Sequence, residues 1–457
     1  MTVIARSMLE QFESGLRSST FEIDLSVGSS LPSVFAVSDL AQASIASAAG
    51  AMGALLSDLS GKSGRATVHR ELASGWFSAS IRPQGWTLLS PWDAIAGDYM
   101  TADGWIKLHT NAPHHRARVI DVLDVREDRD AVTSAVLEWR SDELETAIVE
   151  AGGAAAAMKS LDEWRVHPQG GAVAQDPLLI YDEADVSALP IDHVGDADRA
   201  LGGIKVLDLT RVLAGPVATR LLAGWGAEVL RIDPPDWDEP AIAPEVTLGK
   251  RCARLDLRSK MGVERFALLL SEADIVVSGY RSDALDRLGL GAEQRQRIRP
   301  GLIDVSLDAY GWSGPWAQRR GFDSLVQMST GIAEAGMAAT GSQVPVPLPV
   351  QALDHATGYL LAAAAISGLR HRLKTGRGSR WRTALASMAR VLIDAGVDAE
   401  GLVTDGSDPH DLEPVGPVER TTWGDALRLP PPIEMPGASL RWSLPARALG
   451  SDQAMWR

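Results

Sequence analysis

The sequence predicts an α/β protein: a doubly wound, Rossmann-like parallel sheet joined to a second, smaller α+β domain. Three observations carry this. Short apolar strands alternate with helical stretches between residues 203 and 311, a strand-like piece with several short helical stretches lies between 90 and 170, and a stretch rich in Asp, Ala and Pro separates the two. Alternation of strand and helix sets strands side by side in parallel, because each helix crosses a face of the sheet before the next strand begins.

The first segment, residues 1–85, is organised by a long apolar helix and is expected to pack with the large domain. Its run DLAQASIASAAGAMGALLSDLSGKSGR (39–65) aligns without a gap to DHATGYLLAAAAISGLRHRLKTGRGSR (354–380), so that Asp39 matches Asp354, Gly61 matches Gly376 and Arg65 matches Arg380. Asp at a helix start and Gly at its end are common on their own. The matching Asp, helix length and turn together favour an internal duplication.

Residues 86–175 read as the small α+β domain, with a strand at GWIKLHT (104–110) and helices near 113–123, 129–139 and 142–151. Residues 176–200 read as a linker. Within 201–390, the buried strands are GIKVLDLT (203–210), AEVLRID (227–233), DIVVSGY (274–280) and GLIDVSLDAYG (301–311), with helices at 213–226 and 259–273 between them. Residues 391–457 are expected to wrap over the fold, with one strand at ASLRWSL (438–444).

With 457 residues, 45% of them hydrophobic, the chain has material for two or three domains. A formal net charge of -15 argues against wrapping nucleic acid, whose phosphates reward a basic face. The single cysteine, Cys252, rules out an internal disulfide or a Cys-rich zinc site and suits a reducing compartment. The opening MTVIARSMLEQFES lacks the apolar core of a secretory signal, and the Ala-rich runs at 41–56 and 359–369 fall short of a strongly apolar span. The expectation is a soluble cytoplasmic protein with no membrane and no nucleic-acid partner.

Ligands of a doubly wound sheet bind beyond the carboxyl ends of its strands. The turn after the first strand, Thr210 to Pro216, holds one glycine, Gly215, where a dinucleotide fingerprint needs three, so Asp233 at the end of the second strand is weak support for a nicotinamide enzyme. The cluster Lys250, Arg251, Arg254, Arg258 and Lys260 suits either a polyphosphate anion or a solvated face. No GxSxG elbow, Walker loop or HExxH is present, and His114 and His115 are adjacent, which suits a loop better than a metal pair. Asp354 opens an apolar helix. It is either an ordinary cap or a poorly solvated carboxylate suited to attack a thioester.

Residues 202–235 (GGIKVLDLTRVLAGPVATRLLAGWGAEVLRIDPP), 249–257, 273–291, 306–331 and 352–378 together resemble class III CoA-transferases of the CaiB/BaiF type, in the family's order. Residues 90–190 resemble that family's small domain, here placed before the nucleotide-type half, so the chain resembles a permuted or partly duplicated member. The resemblance implies that 201–390 is a CoA-binding domain and that Asp354 is the catalytic carboxylate, passing through aspartyl-anhydride and aspartyl-CoA intermediates. Coenzyme A or acyl-CoA is implied as substrate with a small carboxylic acid, without a metal, in a homodimer. Val212, Ala214, Lys250, Arg251, Tyr280, Arg287 and Leu288 match CoA-lining positions, while Pro234 and Gly279 depart from the family's residues. The related racemases use a His in a Gly-His-Asp run. Here that run is Gly321-Phe322-Asp323, which disfavours racemisation, with His355 as a possible substitute. Asp39 is expected to be a structural cap. Two alternatives stand beside the transferase: an acyl-CoA racemase or isomerase, and a non-catalytic CoA-binding subunit.

Overall fold

The computed structural model describes residues 2–17, 21–187, 195, 199–281, 283–397 and 411–457. Strands β1 (Glu22–Leu25) and β2 (Arg65–Val68) pair in parallel, and β3 (Ile81–Pro83) follows them. Strands β4 (Gly97–Met100), β5 (Trp105–Leu108) and β6 (Ala155–Ala157) form an antiparallel sheet. Helices Pro113–Leu123, Arg129–Val136 and Ser141–Glu150 accompany it, and Ile106, Val119, Val132 and Ile148 fill a core of its own.

Seven strands follow along the chain: β7 (Ile180–Ser187), β8 (Lys205–Leu209), β9 (Glu228–Asp233), β10 (Lys250–Arg254), β11 (Ile275–Ser278), β12 (Ile303–Asp308) and β13 (Arg377–Ala384). They form one sheet in the order β10-β9-β8-β11-β12-β13-β7. Every pair is parallel except β13–β7, at the edge. From β8 the chain builds outward through β9 and β10, then returns to lay β11, β12 and β13 on the other side. The crevice between the carboxyl ends of β8 and β11 is therefore the topological switch point, where such sheets hold ligands.

The four expected strands are β8, β9, β11 and β12, and three others join them. The segment 176–200, expected to be a linker, opens instead with β7. Its acidic residues, which gave it a linker's composition, meet the basic residues of β13: Asp182 pairs with Arg382 at 2.8 Å and Glu183 with Arg377 at 2.7 Å. Residues 188–194 and 196–198 of that segment lie outside the described residues. The basic run at 250–254 is strand β10.

The strand expected at 438–444 is irregular chain. Strands β14 (Glu419–Thr421), β15 (Gly424–Arg428) and β16 (Ile433–Glu434) precede it, and β15 adds to β3 while β16 adds to β2. Residues 438–444 are anchored by side chains rather than by a ladder: Trp442 stacks on Trp76 with centroids 5.4 Å apart and donates from Nε1 to the Arg220 carbonyl at 2.8 Å.

The two matched segments fold alike. Helices Val37–Ser60 and Ala352–Thr375 are each 24 residues long and each ends at a left-handed glycine, Gly61 (φ 68°) or Gly376 (φ 73°). Each is followed by a strand, β2 or β13, and then by a helix, Arg70–Ser78 or Leu385–Asp394. The two long helices pack along each other, and Asp58 of the first pairs with Arg370 and Lys374 of the second. Helix Val37–Ser60 is long and apolar enough to cross a membrane, and 89% of its most apolar window is buried within the fold. Ala362 to Ala365 let Ala352–Thr375 run close to its neighbours, and a Cβ on Gly358 would stand 2.4 Å from the Ala214 carbonyl oxygen of helix Ala214–Gly224. That contact fixes the start of one helix against the side of the other.

Candidate active site

Asp354 lies in the first turn of Ala352–Thr375, the positive end of the helix dipole. Only 8% of the residue is exposed. Its backbone amide donates to Asp323 Oδ2 at 2.8 Å. Asp323 opens its own helix, Asp323–Ser329, and accepts from Gln327 Nε2 at 2.5 Å; Gln327 Oε1 in turn accepts the Leu348 amide at 2.7 Å. Burial and the nearby Asp323 charge hold the Asp354 carboxyl well above the usual carboxylate range, opposed by a hydrogen bond from the Ala214 amide. Burial also pushes Asp323 up to about 6. The pair therefore favours holding a proton in place of a second charge.

Two cavities, of about 340 and 350 Å³, meet at this carboxylate, with Val212, Trp237, Phe322 and Asp354 lining both. The first occupies the switch point. Its walls include Arg211, Tyr280, Arg281 and Arg320, with His114 and His115 from the small domain. Arg320 has no ion-pair partner among the described residues. Burial and the neighbouring Arg281 charge pull its pKa down, opposed by the charge of Asp283. Arg211 lies over Trp237 at 4.6 Å and donates to the Tyr280 hydroxyl at 3.1 Å. Asp308 lines the same cavity, and burial pushes its carboxyl up to about 7.

The backbone between β8 and the helix Ala214–Gly224 is strained. Val212 has φ 63°, a conformation that costs a β-branched residue about 1–3 kcal/mol. Its amide donates to Glu239 Oε2 at 3.0 Å, and Glu239 is held by Arg231 and by Trp237 Nε1 at 3.1 Å. These bonds keep the Val212 turn at the junction of the cavities.

Of the CoA-lining positions implied by resemblance, Val212, Ala214 and Tyr280 line the first cavity. The other four lie elsewhere. Lys250 is sealed, its Nζ 2.9 Å from Asp208 and 2.8 Å from the Pro216 carbonyl. Arg251 donates to the Met455 carbonyl at 2.6 Å and faces Glu228 and Asp452. Arg287 points to solvent and pairs with Asp283, and Leu288 packs on the core formed around Phe266. Lys250, Arg251 and Arg254 are thus absorbed by internal acids and carbonyls, Arg258 and Lys260 are exposed, and Arg211, Arg281 and Arg320 line the first cavity.

His355, the substitute base, lies in the first turn of Ala352–Thr375 and lines neither cavity. It is buried, stacks on Phe77 with centroids 5.0 Å apart, and is pushed down to about 3 by burial. His114 and His115 stand in the first turn of Pro113–Leu123 rather than in a loop. His109 lies face to face with Phe322, centroids 3.7 Å apart, and lines the second cavity; burial pushes it down to about 4. Sequence reasoning passed over Arg320 and His109, and it named Asp323 only as the end of the Gly321-Phe322-Asp323 run. The pair Arg319-Arg320 beside Gly321-Phe322-Asp323 was the available signal.

Asp39 has a different fate from Asp354. Arg70 donates to both of its oxygens, at 3.2 and 2.9 Å, and Thr2 adds a third bond. The alignment that sets Asp39 on Asp354 sets Arg70 on Leu385, and Leu385 lines the first cavity. One carboxylate is neutralised by its own repeat, while a leucine stands at the other's matched position.

A family profile described as CoA-transferase family III matches residues 201–414. An acyl-CoA transferase of Gibberella moniliformis is 28% identical over 325 residues, covering 65% of this chain and 56% of that protein. The succinyl-CoA:glutarate CoA-transferase of Mus musculus is 33% identical over 198 residues, covering 40% of this chain and 44% of that protein. A crystal structure of a CaiB/BaiF family protein from Brucella suis is 26% identical with a TM-score of 0.39, covering 51% of this chain and 66% of that one. The chain spans about half the length of the curated relatives it matches. Through residues 201–414 the chain is similar to CoA-transferase family III.

Proposed function

We propose that this chain moves CoA between an acyl-CoA thioester and a carboxylic acid, with Asp354 as the attacking carboxylate. One observation carries the reading: Asp354 stands where two cavities meet, has no cationic partner among the described residues, and faces a chamber lined with guanidinium groups suited to a polyphosphate. Val212, Ala214 and Tyr280 line the nucleotide side, with Arg211, Arg281 and Arg320 as the anion contacts.

In the first step the carboxylate attacks the acyl carbon, the C–S bond breaks, and a mixed anhydride and CoA thiolate form. The thiolate then attacks the aspartyl carbonyl, releasing the donor acid and leaving an aspartyl-CoA thioester. An acceptor carboxylate attacks that thioester, giving a new anhydride and thiolate. Attack of the thiolate on the acceptor carbonyl then frees Asp354. Each step exchanges one activated acyl bond for another. The Ala214 amide beside Asp354 supports the reading, because a preset N–H donor stabilises the developing oxyanion. The test is incubation with an acyl-CoA and an isotopically labelled acid. A labelled thioester is the expected product, and its absence with every acid tried contradicts the proposal.

One observation favours an acyl-CoA racemase as the second reading. His109, neutral at neutral pH, rests on Phe322 and lines a cavity with Asp354, so two proton-bearing groups border one chamber. Solvent deuterium entering the acyl α-carbon without CoA exchange marks that activity.

A further inference from the structure

The two cavities at Asp354 differ in chemistry. The first carries the guanidinium groups. The second is walled by Leu89, Trp92, Leu213, Ile242 and Phe322, and among the described residues no lysine or arginine lines it. Its charged walls are acidic. Asp93 spends one oxygen on the Ile95 and Ala96 amides and on Thr110, while its other oxygen is buried without a hydrogen-bond partner. Asp238 is exposed at the same wall, and Glu239 is compensated by Arg231. A second carboxylate brought into this chamber would meet like charge on its walls, and of the cations behind them Lys107, over Trp92, is paired with Asp98 while Arg211, over Trp237, lines the first cavity.

We infer that the second cavity is the acyl pocket, and that it selects thioesters of apolar monocarboxylic acids over thioesters whose acyl chain ends in a second carboxylate. The inference rests on the transferase reading, since it needs the acyl carbon at Asp354 with the CoA phosphates on the guanidinium side. Charge sets that orientation, because the nucleotide end is attracted to Arg211, Arg281 and Arg320 and repelled by Asp93. The volume of about 350 Å³ falls within the range of small-ligand clefts. Trp92, set edge-on to His109 with ring centroids 6.0 Å apart, and Leu89 form the outer, partly exposed wall, where the distal carbons of a chain would lie. Each methylene buried there is expected to raise kcat/KM about fourfold until the pocket is full.

The test compares hexanoyl-CoA with adipoyl-CoA, six-carbon chains that differ in a terminal carboxylate, on the full chain with one labelled acceptor acid. The expected result is consumption of hexanoyl-CoA at least about 100-fold faster, since an unpaired charge against an acidic, apolar wall costs several kcal/mol. Leu89→Lys, a change at a largely exposed position, is expected to narrow that ratio by favouring adipoyl-CoA, and Trp92→Ala to slow hexanoyl-CoA more than acetyl-CoA. Transfer from adipoyl-CoA as fast as from hexanoyl-CoA overturns the inference while leaving the transferase reading standing. A hexanoyl-to-adipoyl ratio unmoved by Leu89→Lys overturns it as well. Failure to consume any thioester overturns both.

Discussion

The backbone amide of Asp354 donates to the carboxylate of Asp323 at 2.8 Å, so one buried acid holds the start of the helix that presents another. The bond orients the helix turn, and the charge beside it raises the Asp354 pKa. Asparagine at 323 can keep one acceptor oxygen while losing the charge. Asp323→Asn is therefore expected to move the acid limb of the rate–pH profile to lower pH. The plateau rate is expected to fall roughly three- to tenfold, because a less basic carboxylate is a weaker nucleophile. A profile at unchanged pH with only a lower rate would reduce Asp323 to a structural cap.

Asp354→Asn is expected to lower transfer on the order of 10⁴-fold, the scale seen when an attacking group is removed. The same variant carries a stability signature. The folded Asp354 carboxyl titrates above its unfolded value, so between those two pH values the folded chain binds more protons than the unfolded one. Stability from this group is then full at low pH and is lost as pH rises through the folded pKa. Asp354→Asn is accordingly expected to raise Tm at about pH 8, with the gain shrinking toward about pH 4. Thermal melts across that range check it.

Asp308 contributes with the same sign. Its carboxyl, pushed up to about 7, also costs stability once ionised, so Asp308→Asn is expected to stabilise the chain above that pH and to do little below about pH 4. Melts of the single and double variants separate the two acids.

Arg70 and Leu385 occupy matched positions, and only Arg70 neutralises its acid. Leu385→Arg is expected to place a cation in the first cavity, pair with Asp354 and lower transfer at least about 100-fold while bringing its pKa down. Arg70→Leu leaves Asp39 buried and unpaired and is expected to cost about 3–5 kcal/mol, measured by denaturant unfolding. Equal activity in Leu385→Arg would show that the leucine does not matter to the nucleophile.

The parts of the fold written in local apolar runs were legible: strands β8, β9, β11 and β12 are short, buried and flanked by helices. Strands β7 and β10 were obscured by their charges, which are satisfied by partners distant in sequence, as Asp182 is by Arg382 and Lys250 is by Asp208. The same long-range pairing misled the search for the anion site. Lys250 and Arg251 look available in the sequence, and the fold commits both to internal partners. Asp354 stands out in the sequence through its helix and its resemblance. Asp323 and His109 acquire meaning only when helix Asp323–Ser329 and the small domain meet at the cavities.

The most direct test is to mix the intact chain with an acyl-CoA, quench with hydroxylamine and map the product by mass spectrometry. Conversion of Asp354 alone to a hydroxamate is the predicted result. An unmodified Asp354 while CoA transfer proceeds, or a hydroxamate at another carboxylate, would contradict the account.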